Sequence, residues 1–386
     1  MKNHLFKKSV VVIIIIIFLL TCLTTLFVVR LKASNNGNYT PHNPIYIDGN
    51  DGFIIGQNGV VSGKGTQEDP YFINDWEINA STNDGIYIRN SDVYFVIENC
   101  FIHSGKSDYS GIVLENVING KINRIKNNVN RKGIDLRNNC KMVIISNSSF
   151  YYNHYCGIRS EGSLIKIINN TISYSIRNGI ELSSDDSIIE GNIVIYNAHD
   201  GIGGNNAMNN DFINNTIFSN YRGFFFSNSS ENGFMSNKLT SNSDSGIFLH
   251  SCSNNVIVGN TISNNGQGVE FTYSQDNNIL NNSVTLNKYY NIWFYGWSNK
   301  NTISYNTISY SKIGIFFPEA RYNKILSNNI EKNKISVLFE STPNTWDENY
   351  WDRLRLFPKI IFGTILFIPW INIDWHPAKE PYDIEV

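Results

Sequence analysis

The segment GIELSSDDSIIEGNIVIYNAHDGI, from Gly179 to Ile202, begins and ends with the same dipeptide, Gly-Ile. It also carries an unusual concentration of acids and a histidine, at Glu181, Asp185, Asp186, Glu190, His199 and Asp200. Two interpretations are open. The segment is either a catalytic cluster or one unit of a repeating structure that happens to be charged, and the rest of the chain has to decide between them.

The Gly-Ile dipeptide belongs to a long internal repeat. Glycine followed by an apolar residue recurs every 22 to 26 residues, and Asn-Ile replaces it once, at Gly85, Gly111, Gly133, Gly157, Gly179, Gly201, Gly223, Gly246, Gly268, Asn291 and Gly314. A column of asparagines holds the same period, at Asn127, Asn170, Asn192, Asn215, Asn237, Asn260, Asn282, Asn306 and Asn328. Short alternating apolar runs separated by Asn, Ser and Gly are typical of strands and turns.

A unit of about 22 residues fits one coil of three short strands, stacked on its neighbours to give parallel sheets. Residues 82–341 are therefore predicted to form a solenoid of about twelve coils. Aligned asparagine amides can hydrogen-bond from one coil to the next, which gives their column a structural cause.

The two ends of the chain and the Gly-Ile repeats together resemble a known family. The opening PIYIDGNDGFIIGQNGVVSGKGTQEDPYFINDWEI and the closing NYWDRLRLFPKIIFG and DWHPAKEPYDI are similar to the caps of archaeal surface proteins of the NosD-like, carbohydrate-binding and sugar-hydrolase (CASH) group. The resemblance covers about residues 41–386. It implies an all-β, right-handed parallel β-helix, with a linker and N-terminal cap at 34–81 and a C-terminal cap segment at 342–386.

The N-terminus predicts a membrane anchor in residues 1–33. Val10–Val29 is twenty residues without a charge, preceded by Lys2, Lys7 and Lys8. This length matches the bilayer's hydrocarbon core, and the lysines favour a cytoplasmic N-terminus. A cleaved signal peptide is the alternative. With either, the bulk of the chain lies outside the cytoplasm, at the cell surface.

Strand alternation directs the second and fourth residues after each repeat glycine outward, in two columns. One column places Asp135, Arg159 and Glu181 on successive coils, and the other places Glu115, Arg137 and Glu161 there. This alternation of sign predicts a structural ladder of exposed ion pairs, each stabilising by about 0–1 kcal/mol.

Charged residues that this ladder leaves unexplained are candidate catalytic residues, namely Arg177, Asp185, Asp186, His199, Asp200 and Arg222. A polyuronate lyase or epimerase needs a cation, a base and an acid, roles that an arginine, His199, and Tyr155 or Tyr221 could fill. A hydrolase needs two carboxyls about 5–9 Å apart, for which the three aspartates are candidates. Aspartate before glycine is also ordinary turn chemistry, so the structural interpretation stays open.

The C-terminal half of the outward columns is aromatic, with candidate ligand-binding residues Phe225, Phe248, Trp293, Tyr295 and Phe316. Flat rings can stack on sugar faces, and exposed apolar patches mark contact surfaces. The competing hypothesis is that the apolar residues 355–375 cover this stripe, at least in part.

The sequence favours a non-catalytic cell-surface protein that binds a polysaccharide or cell-surface glycan along the Gly-Ile sheet. The alternative is a polysaccharide lyase, C5-epimerase or hydrolase acting on that sheet. The family resemblance also implies a third role, as an accessory protein for copper-site assembly. No metal site or cofactor is expected, because the histidines and cysteines show no paired ligand spacing. A net charge of −2 and 17% charged residues give no basic surface for nucleic acid.

Overall fold

The chain winds through three parallel sheets in turn, and each coil contributes one strand to each sheet. The structure is a computed structural model that describes residues 39–384. The predicted anchor, Val10–Val29, lies outside the described residues. Within residues 39–384, no helix has the length and apolar character needed to cross a bilayer. The helical content of that part is a single 3-10 turn, Asn50–Gly52.

The first sheet carries the repeat dipeptides and is called the Gly-Ile sheet. Its thirteen strands, in order, are β2 (Ile45–Asp48), β5 (Ile86–Ser91), β8 (Ile112–Val117), β11 (Lys132–Arg137), β14 (Cys156–Ser160), β17 (Ile180–Leu182), β20 (Asp200–Asn205), β23 (Arg222–Ser227), β26 (Ser245–His250), β29 (Gln267–Thr272), β32 (Tyr290–Tyr295), β35 (Ile313–Phe317) and β38 (Ile335–Phe339). The chain therefore makes about twelve turns, as the repeat count predicts.

The other two sheets complete each coil. The second sheet contains β3 (Tyr71–Asn74), β6 (Phe95–Glu98), β9 (Gly120–Asn123), β12 (Ile144–Ser146), β15 (Lys166–Ile168), β18 (Ile188–Glu190), β21 (Asp211–Ile213), β24 (Gly233–Met235), β27 (Val256–Val258), β30 (Asn278–Leu280), β33 (Thr302–Ser304), β36 (Lys324–Leu326) and β39 (Thr345–Asp347). The third sheet contains β1 (Thr40–His42), β4 (Trp76–Asn79), β7 (Phe101–His103), β10 (Lys126–Asn128), β13 (Ser149–Tyr151), β16 (Thr171–Ser173), β19 (Ile193–Ile195), β22 (Thr216–Phe218), β25 (Lys238–Thr240), β28 (Thr261–Ser263), β31 (Ser283–Thr285), β34 (Thr307–Ser309), β37 (Asn329–Glu331) and β40 (Tyr350–Trp351). The sheets thus extend into both segments that the sequence assigns to caps.

The repeat isoleucines form the core of the solenoid. Ile158 is in register with Ile180, and Ile180 with Ile202, and all three side chains are fully buried. Each such stack buries apolar surface between coils, which is the dominant favourable contribution to folding. Because the side-chain period of a strand is two, the same register sends the intervening residues outward, where the site is built.

The repeat glycine stands at the tight corner where each coil enters the Gly-Ile sheet. A Cβ added at Gly201 would lie 2.9 Å from the carbonyl oxygen of Gly223 and would overlap the side chain of Ile217. Any larger residue would therefore push the corner off the core, which is the physical reason for the glycine column.

An asparagine ladder joins the coils, as predicted. The backbone N–H and side-chain amide of Asn237 both donate to Oδ1 of Asn260, at 2.8 and 3.0 Å, and its amide also donates to the carbonyl of Phe212. At the end of the column Asp374 accepts from the backbone N–H and the amide of Asn349, so a carboxylate replaces the asparagine of a next coil. The amides of Asn237 and Asn349 thus find partners, which buried polar groups require.

The assignment of Asn127 to this column is wrong. Asn127 is in register with Ile102 and Phe150, which are inward-facing strand residues, and the ladder position of its coil is Ile125. The Asn127 amide donates instead to the carbonyl of Gly133. A sequence that has asparagine at several neighbouring turn positions cannot distinguish these two places by spacing alone.

The C-terminal segment forms an antiparallel hairpin, β41 (Lys359–Ile365) and β42 (Ile368–Asp374), on the last coil. Ile361 is buried there, and a Cβ added at Gly363 would meet the backbone of Phe339. Asp374 also accepts from the indole N–H of Trp351, so it fixes the hairpin base to the solenoid end. The hairpin therefore covers part of the open end of the sheets.

Candidate functional site

The charges on the N-terminal half of the Gly-Ile sheet form a network centred on Asp135. Its carboxylate accepts from Lys132 at 2.8 Å and from Arg137 at 2.6 Å, and Arg159 lies 3.3 Å away. Arg159 also reaches Glu181, at 3.6 Å. The predicted ladder Asp135–Arg159–Glu181 is thus confirmed as a chain of ion pairs in strand register.

Two features of the ladder differ from the prediction. Asp135 is completely buried beneath its cations, and is not an exposed partner. The second column is also not a separate ladder, because Arg137 turns to Asp135 and Glu161 pairs with Arg159. Burial alone would raise the pKa of Asp135, but Lys132 and Arg137 hold the pKa below its usual value. The network is therefore closed and internally satisfied.

The cleft begins one coil beyond this network, where Gly203 occupies the outward position that Asp135 holds in its own coil. Without a side chain there, the sheet surface opens between Glu181 and Phe225 into a cleft of about 340 Å³. A Cβ at Gly203 would lie 3.2 Å from Oδ2 of Asp200 and 3.3 Å from Nδ2 of Asn178, so Gly203 is the floor of the cleft.

Four of the six candidate catalytic residues line this cleft, namely Arg177, His199, Asp200 and Arg222. Arg177 and His199 are exposed at its rim, in the turn before the Gly-Ile strands, whereas Asp200 is almost completely buried. Arg177 and His199 lie in the turns that precede β17 and β20, and Asp200 and Arg222 are the first residues of β20 and β23. The stacking of successive coils therefore brings the four side chains together. Glu181 and Asn178 complete the lining.

Arg222 is fixed in place by Asp200 and by aromatic rings. Its Nε donates to Oδ1 of Asp200 at 2.7 Å, and its guanidinium lies 3.9 Å above the ring centre of Phe225 and 5.4 Å from that of Tyr221. Burial raises the pKa of Asp200, while Arg222 opposes that shift. Such stacking and pairing hold a planar cation in one orientation, as recognition of a carboxylate requires.

Arg177 and His199 each have an aromatic neighbour that the sequence proposes as the acid. The Arg177 guanidinium lies 4.9 Å from the ring centre of Tyr155 and donates to its hydroxyl at 3.4 Å. The ring centres of His199 and Tyr221 are 6.1 Å apart, edge to face. A cation and an imidazole therefore lie at one opening on the sheet, and each has a phenol beside it that does not itself line the cleft.

Asp185 and Asp186 lie away from the cleft, in the turn that leads to the second sheet. Oδ1 of Asp185 accepts from the backbone N–H of Met208 at 2.8 Å, and Oδ1 of Asp186 accepts from the amide of Asn209 at 2.6 Å. Asp186 also adopts a positive φ of 53°, which aspartate tolerates better than most residues. Both carboxylates thus have turn-stabilising partners, and the structure does not bring them to Asp200.

The aromatic stripe consists of two groups. Phe225 and Phe248 have ring centres 5.4 Å apart and share the Arg222 cation. Further along, Trp293 lies 5.8 Å from Tyr295, and Phe316 stacks at 5.3 Å on Tyr290. All are half-buried except Tyr295, which is exposed.

The hairpin contacts only the far end of this stripe in the described residues. Its tip, Leu366 and Phe367, lines a cleft with Tyr295, Trp297 and Pro318. Its strand β41 lines another cleft with Leu338 and its neighbours in the last coil. The tip therefore lies beside Tyr295 at the far end of the stripe and stays exposed itself, whereas the rings of Phe225 and Phe248 lie against each other and Arg222. The hypothesis that residues 355–375 cover the stripe stays a prediction.

Glu270 separates the two aromatic groups, and sequence reasoning did not single it out as a functional residue. It is in register between Phe248 and Trp293, is 7% exposed, and accepts from the Ser245 hydroxyl at 2.5 Å. Burial raises its pKa to about 7. An acid between two aromatic residues in one outward column was visible in the sequence, but its burial was not.

Gly203 was missed as well, although its signal was present. It is the single glycine in an outward column whose other members carry side chains. No group of three His, Cys, Asp or Glu side chains within residues 39–384 has a geometry that could hold a metal ion.

Comparisons with known proteins agree on the fold. Residues 156–308 match the family model described as right handed beta helix region. The A-module of the mannuronan C-5 epimerase AlgE4 from Azotobacter vinelandii is similar in structure, with a TM-score of 0.57 and 16% identity over 71% of this chain and 90% of that chain. A double mutant of the periplasmic alginate epimerase AlgG gives a TM-score of 0.57 and 15% identity over 78% and 82%.

The Dettilon tailspike protein is also similar, with a TM-score of 0.52 and 16% identity over 79% of this chain and 63% of that chain. No curated protein matches the sequence. Identities this low show the fold alone. The chain is an all-β, right-handed parallel β-helix of about twelve turns.

Proposed function

We propose that this protein acts on an acidic polysaccharide, as a lyase or C5-epimerase, at the cleft floored by Gly203. The observation that carries the proposal is the convergence of Arg177, His199, Asp200 and Arg222 around one opening on the Gly-Ile sheet. This is the second of the sequence-based alternatives. It moves to first place because the charges here surround a cleft, whereas those around Asp135 pair off among themselves.

Removing the C5 proton of a uronate places negative charge on the sugar carboxylate. Arg177 at the rim and Arg222 against the wall can both bind that group, and Arg222 is already oriented by Asp200. Donors fixed in advance stabilise such developing charge, and one of them contributes about 10²–10³-fold in rate. Asp200 is thus a positioning residue, because its side chain acts through Arg222.

His199 is the proposed base, because its imidazole is exposed at the rim of the cleft. Tyr221 beside it, or Tyr155 beside Arg177, would return or supply the proton. Positioned acids and bases contribute about 10²–10⁴-fold to such reactions. A lyase and an epimerase share the first step, the removal of the C5 proton. In the second step of a lyase, the C4–O glycosidic bond breaks, its oxygen takes up a proton and a C4=C5 double bond remains. In an epimerase, C5 is instead reprotonated from the other face.

The test is proton exchange on a panel of polymers. The full chain, kept in solution with a mild detergent, is incubated in D₂O with polyuronates and with neutral polysaccharides, and deuterium at C5, unsaturated ends and inverted sugars are measured by NMR. The expected result, on a polyuronate only, is deuterium at C5 with inverted sugars for an epimerase, or unsaturated ends for a lyase. Retention of a polymer without exchange or products would contradict the enzyme proposal and leave a binding protein.

Matched variants identify the site. His199→Ala should lose exchange by about a thousandfold if the imidazole is the base. His154→Ala is the control, since His154 is another exposed turn histidine, two coils away and outside the cleft. Equal activity of His199→Ala and His154→Ala would show that the reaction does not take place at the cleft.

Non-catalytic glycan binding is the second candidate function, and a specific observation favours it. A row of stacked, exposed tyrosines follows the third sheet, with ring centres of Tyr152 and Tyr174 at 4.9 Å and of Tyr174 and Tyr196 at 5.3 Å. Trp297 and Tyr295 offer further exposed rings on the Gly-Ile side. Sugar rings stack on such surfaces without chemistry.

The setting of the protein is proposed from the sequence. Val10–Val29 would hold the solenoid at the outer face of a membrane, where cell-surface glycans are within reach. The copper-site accessory role implied by the NosD-like resemblance stays a prediction, and no observation on the described residues favours it.

A further inference from the structure

The tip of the C-terminal hairpin is apolar and solvent-exposed. Phe367 is 97% exposed and Leu366 83%, and Phe362, Ile368 and Trp370 are exposed beside them. Single exposed apolar side chains are common on soluble proteins, but a contiguous group of this kind marks a contact surface. The group lies at the far end of the solenoid from the first coil, well beyond the proposed catalytic cleft.

The turn itself carries the wrong residues for a soluble hairpin. Leu366 and Phe367 form a two-residue loop between paired Ile365 and Ile368, with φ of 50° and 66°. Loops of this type demand positive φ at both positions and strongly favour Asn-Gly. A bulky side chain in the left-handed region costs about 1–2 kcal/mol, so apolar character is kept here against the turn's own preference.

Both faces of the hairpin become apolar towards the tip. Residues directly opposite in an antiparallel pair share a face, so Phe362 and Ile371 lie on one face, and Gly363 and Trp370 on the other. On the second face, Ile361 and Gly363 of β41 pack on the last coil. Beyond them, side chains are exposed on both faces, and a flat partner could cover only one of these faces.

Cations precede the hairpin at its base, at the opposite end of β41 from the apolar tip. Arg353, Arg355 and Lys359 lie in the segment leading into β41, interleaved with exposed Leu354, Leu356 and Phe357. No carboxylate in residues 39–384 forms a salt bridge with any of the three cations. A second copy of this chain would bring the same cations to a symmetric contact, which like-charge repulsion disfavours.

We infer that this hairpin inserts its tip into the surface of an anionic lipid bilayer. Leu366, Phe367 and Ile368 would enter the boundary between headgroups and acyl chains, and the exposed face that holds Phe362 and Ile371 would lie along the bilayer. In that orientation the cations at 353–359, at the base of the hairpin, also reach lipid phosphates. Exposed Trp297, which lines a cleft with the tip, suits the headgroup level. This contact is independent of the proposed activity and of the N-terminal segment, and it would hold the far end of the solenoid against the membrane.

The experiment reads the position of the tip directly in the full chain. Phe367→Cys is labelled with an environment-sensitive fluorophore in a Cys22→Ser background, and the protein is reconstituted into vesicles that contain an acyl-chain quencher. The four remaining cysteines are buried, and burial raises the pKa of the Cys100 and Cys252 thiols to about 12 and about 11, so they do not compete for the label. The matched control is Tyr322→Cys, a 60% exposed turn residue with φ of 58°.

The expected result is a blue-shifted emission at position 367 with about tenfold stronger quenching than at 322, and stronger in vesicles with phosphatidylglycerol than with phosphatidylcholine alone. Equal quenching at the two positions would overturn the inference. A blue shift without lipid that grows with protein concentration would overturn it too, in favour of a second copy.

A second variant separates insertion from folding. Leu366→Asn with Phe367→Gly supplies the preferred turn residues, so the hairpin should form with no loss in melting temperature. A label on Ile371→Cys should then lose most of its quenching, relative to the same label with the natural tip. Undiminished quenching would show that the apolar tip is not what binds lipid.

Discussion

The Asp135 network and the Gly203 cleft occupy the same face of the same sheet and use the same residue types. They differ in whether the acid stands before or after the repeat glycine. In the network, Lys132 precedes the repeat glycine and Asp135 fills the outward position after it, and the three cations around it close over the acid. In the cleft, the acid precedes the glycine, as Asp200, and the outward position is Gly203. Because no side chain fills that position, the neighbouring cations face an opening.

Charge content therefore does not distinguish architecture from a site on this fold. Both regions carry aspartates and arginines in strand register. What differs is whether the polar groups satisfy one another or leave room for a ligand, and a single missing side chain decides that. Satisfied networks specify structure, whereas a cleft with cations at its edge can bind.

The largest effect is expected from converting the cleft into a network. Asp200→Lys with Gly203→Asp copies the Lys132–Asp135 arrangement, so Arg177 and Arg222 should turn to the new acid and close the opening. Proton exchange on a polyuronate should fall by about a thousandfold, measured by deuterium at C5. The melting temperature should stay close to that of the natural chain. An active double variant would show that the reaction does not use the cleft.

Asp135→Ala tests the network in turn. It leaves Lys132, Arg137 and Arg159 close together without their shared buried acid. Loss of one partner of a buried ion pair destabilises by about 3–5 kcal/mol, so the denaturant midpoint should fall sharply. Glu161→Ala removes a partly exposed partner of Arg159 and should cost about 0–1 kcal/mol. Similar costs for both variants would mean that burial of Asp135 does not matter.

The raised pKa of Glu270 predicts that the stability of the fold depends on pH. Its folded-state pKa is raised from 4.5 to about 7 by burial, so the folded chain holds a proton that the unfolded chain releases. The stabilisation that the protonated Glu270 carboxyl provides is fully present below about pH 4.5. The free energy of unfolding falls by about 3 kcal/mol as the pH rises from there to about 7.

Glu270→Gln should remove that fall, so the variant should be the more stable chain at pH 8, in denaturant titrations at several pH values. Glu181→Gln, a more exposed acid of the same column, is the control. Parallel pH profiles for Glu270→Gln and the natural chain would refute a protonated Glu270.

The smallest effect is expected at the turn aspartates. Asp185→Asn and Asp186→Asn alter hydrogen bonds to Met208 and Asn209 and should cost about 1 kcal/mol each. Proton exchange should stay within about twofold of the natural chain, because neither carboxylate reaches the cleft. A loss of proton exchange in either variant would show that the turn aspartates take part in the reaction.

Much of the fold was predictable because each repeat is constrained by its neighbours. The corner glycines, the inward isoleucines and the ladder asparagines each recur with one period, so they can be identified from their spacing in the sequence. Asn127 shows the limit, since its coil departs from the period and the neighbouring asparagines could not be told apart. Strand alternation predicts which side chains point outward, and the contacts of Arg159 with Asp135 and Glu181 could be predicted from it.

The site was less predictable, because it depends on how side chains compete for partners. Arg137 could pair with Glu115 or with Asp135, and only packing decides in favour of Asp135. The convergence of Arg177 with Arg222 requires the turn geometry that precedes the strand. The exposed hairpin tip was expected to find cover on the aromatic stripe, but tethering of its base by Asp374 to Trp351 leaves the tip projecting.

The affinity of the cleft for a carboxylate sugar shows directly whether this opening is a uronate site. Binding of a uronate oligosaccharide and of its carboxyl-reduced counterpart is compared by calorimetry for the natural chain and for Gly203→Leu, whose side chain fills the cleft. The predicted result is about tenfold tighter binding of the uronate, as one bidentate arginine contact provides, and loss of that preference in Gly203→Leu. Equal affinity for the two sugars, or an unchanged preference in Gly203→Leu, would contradict the account.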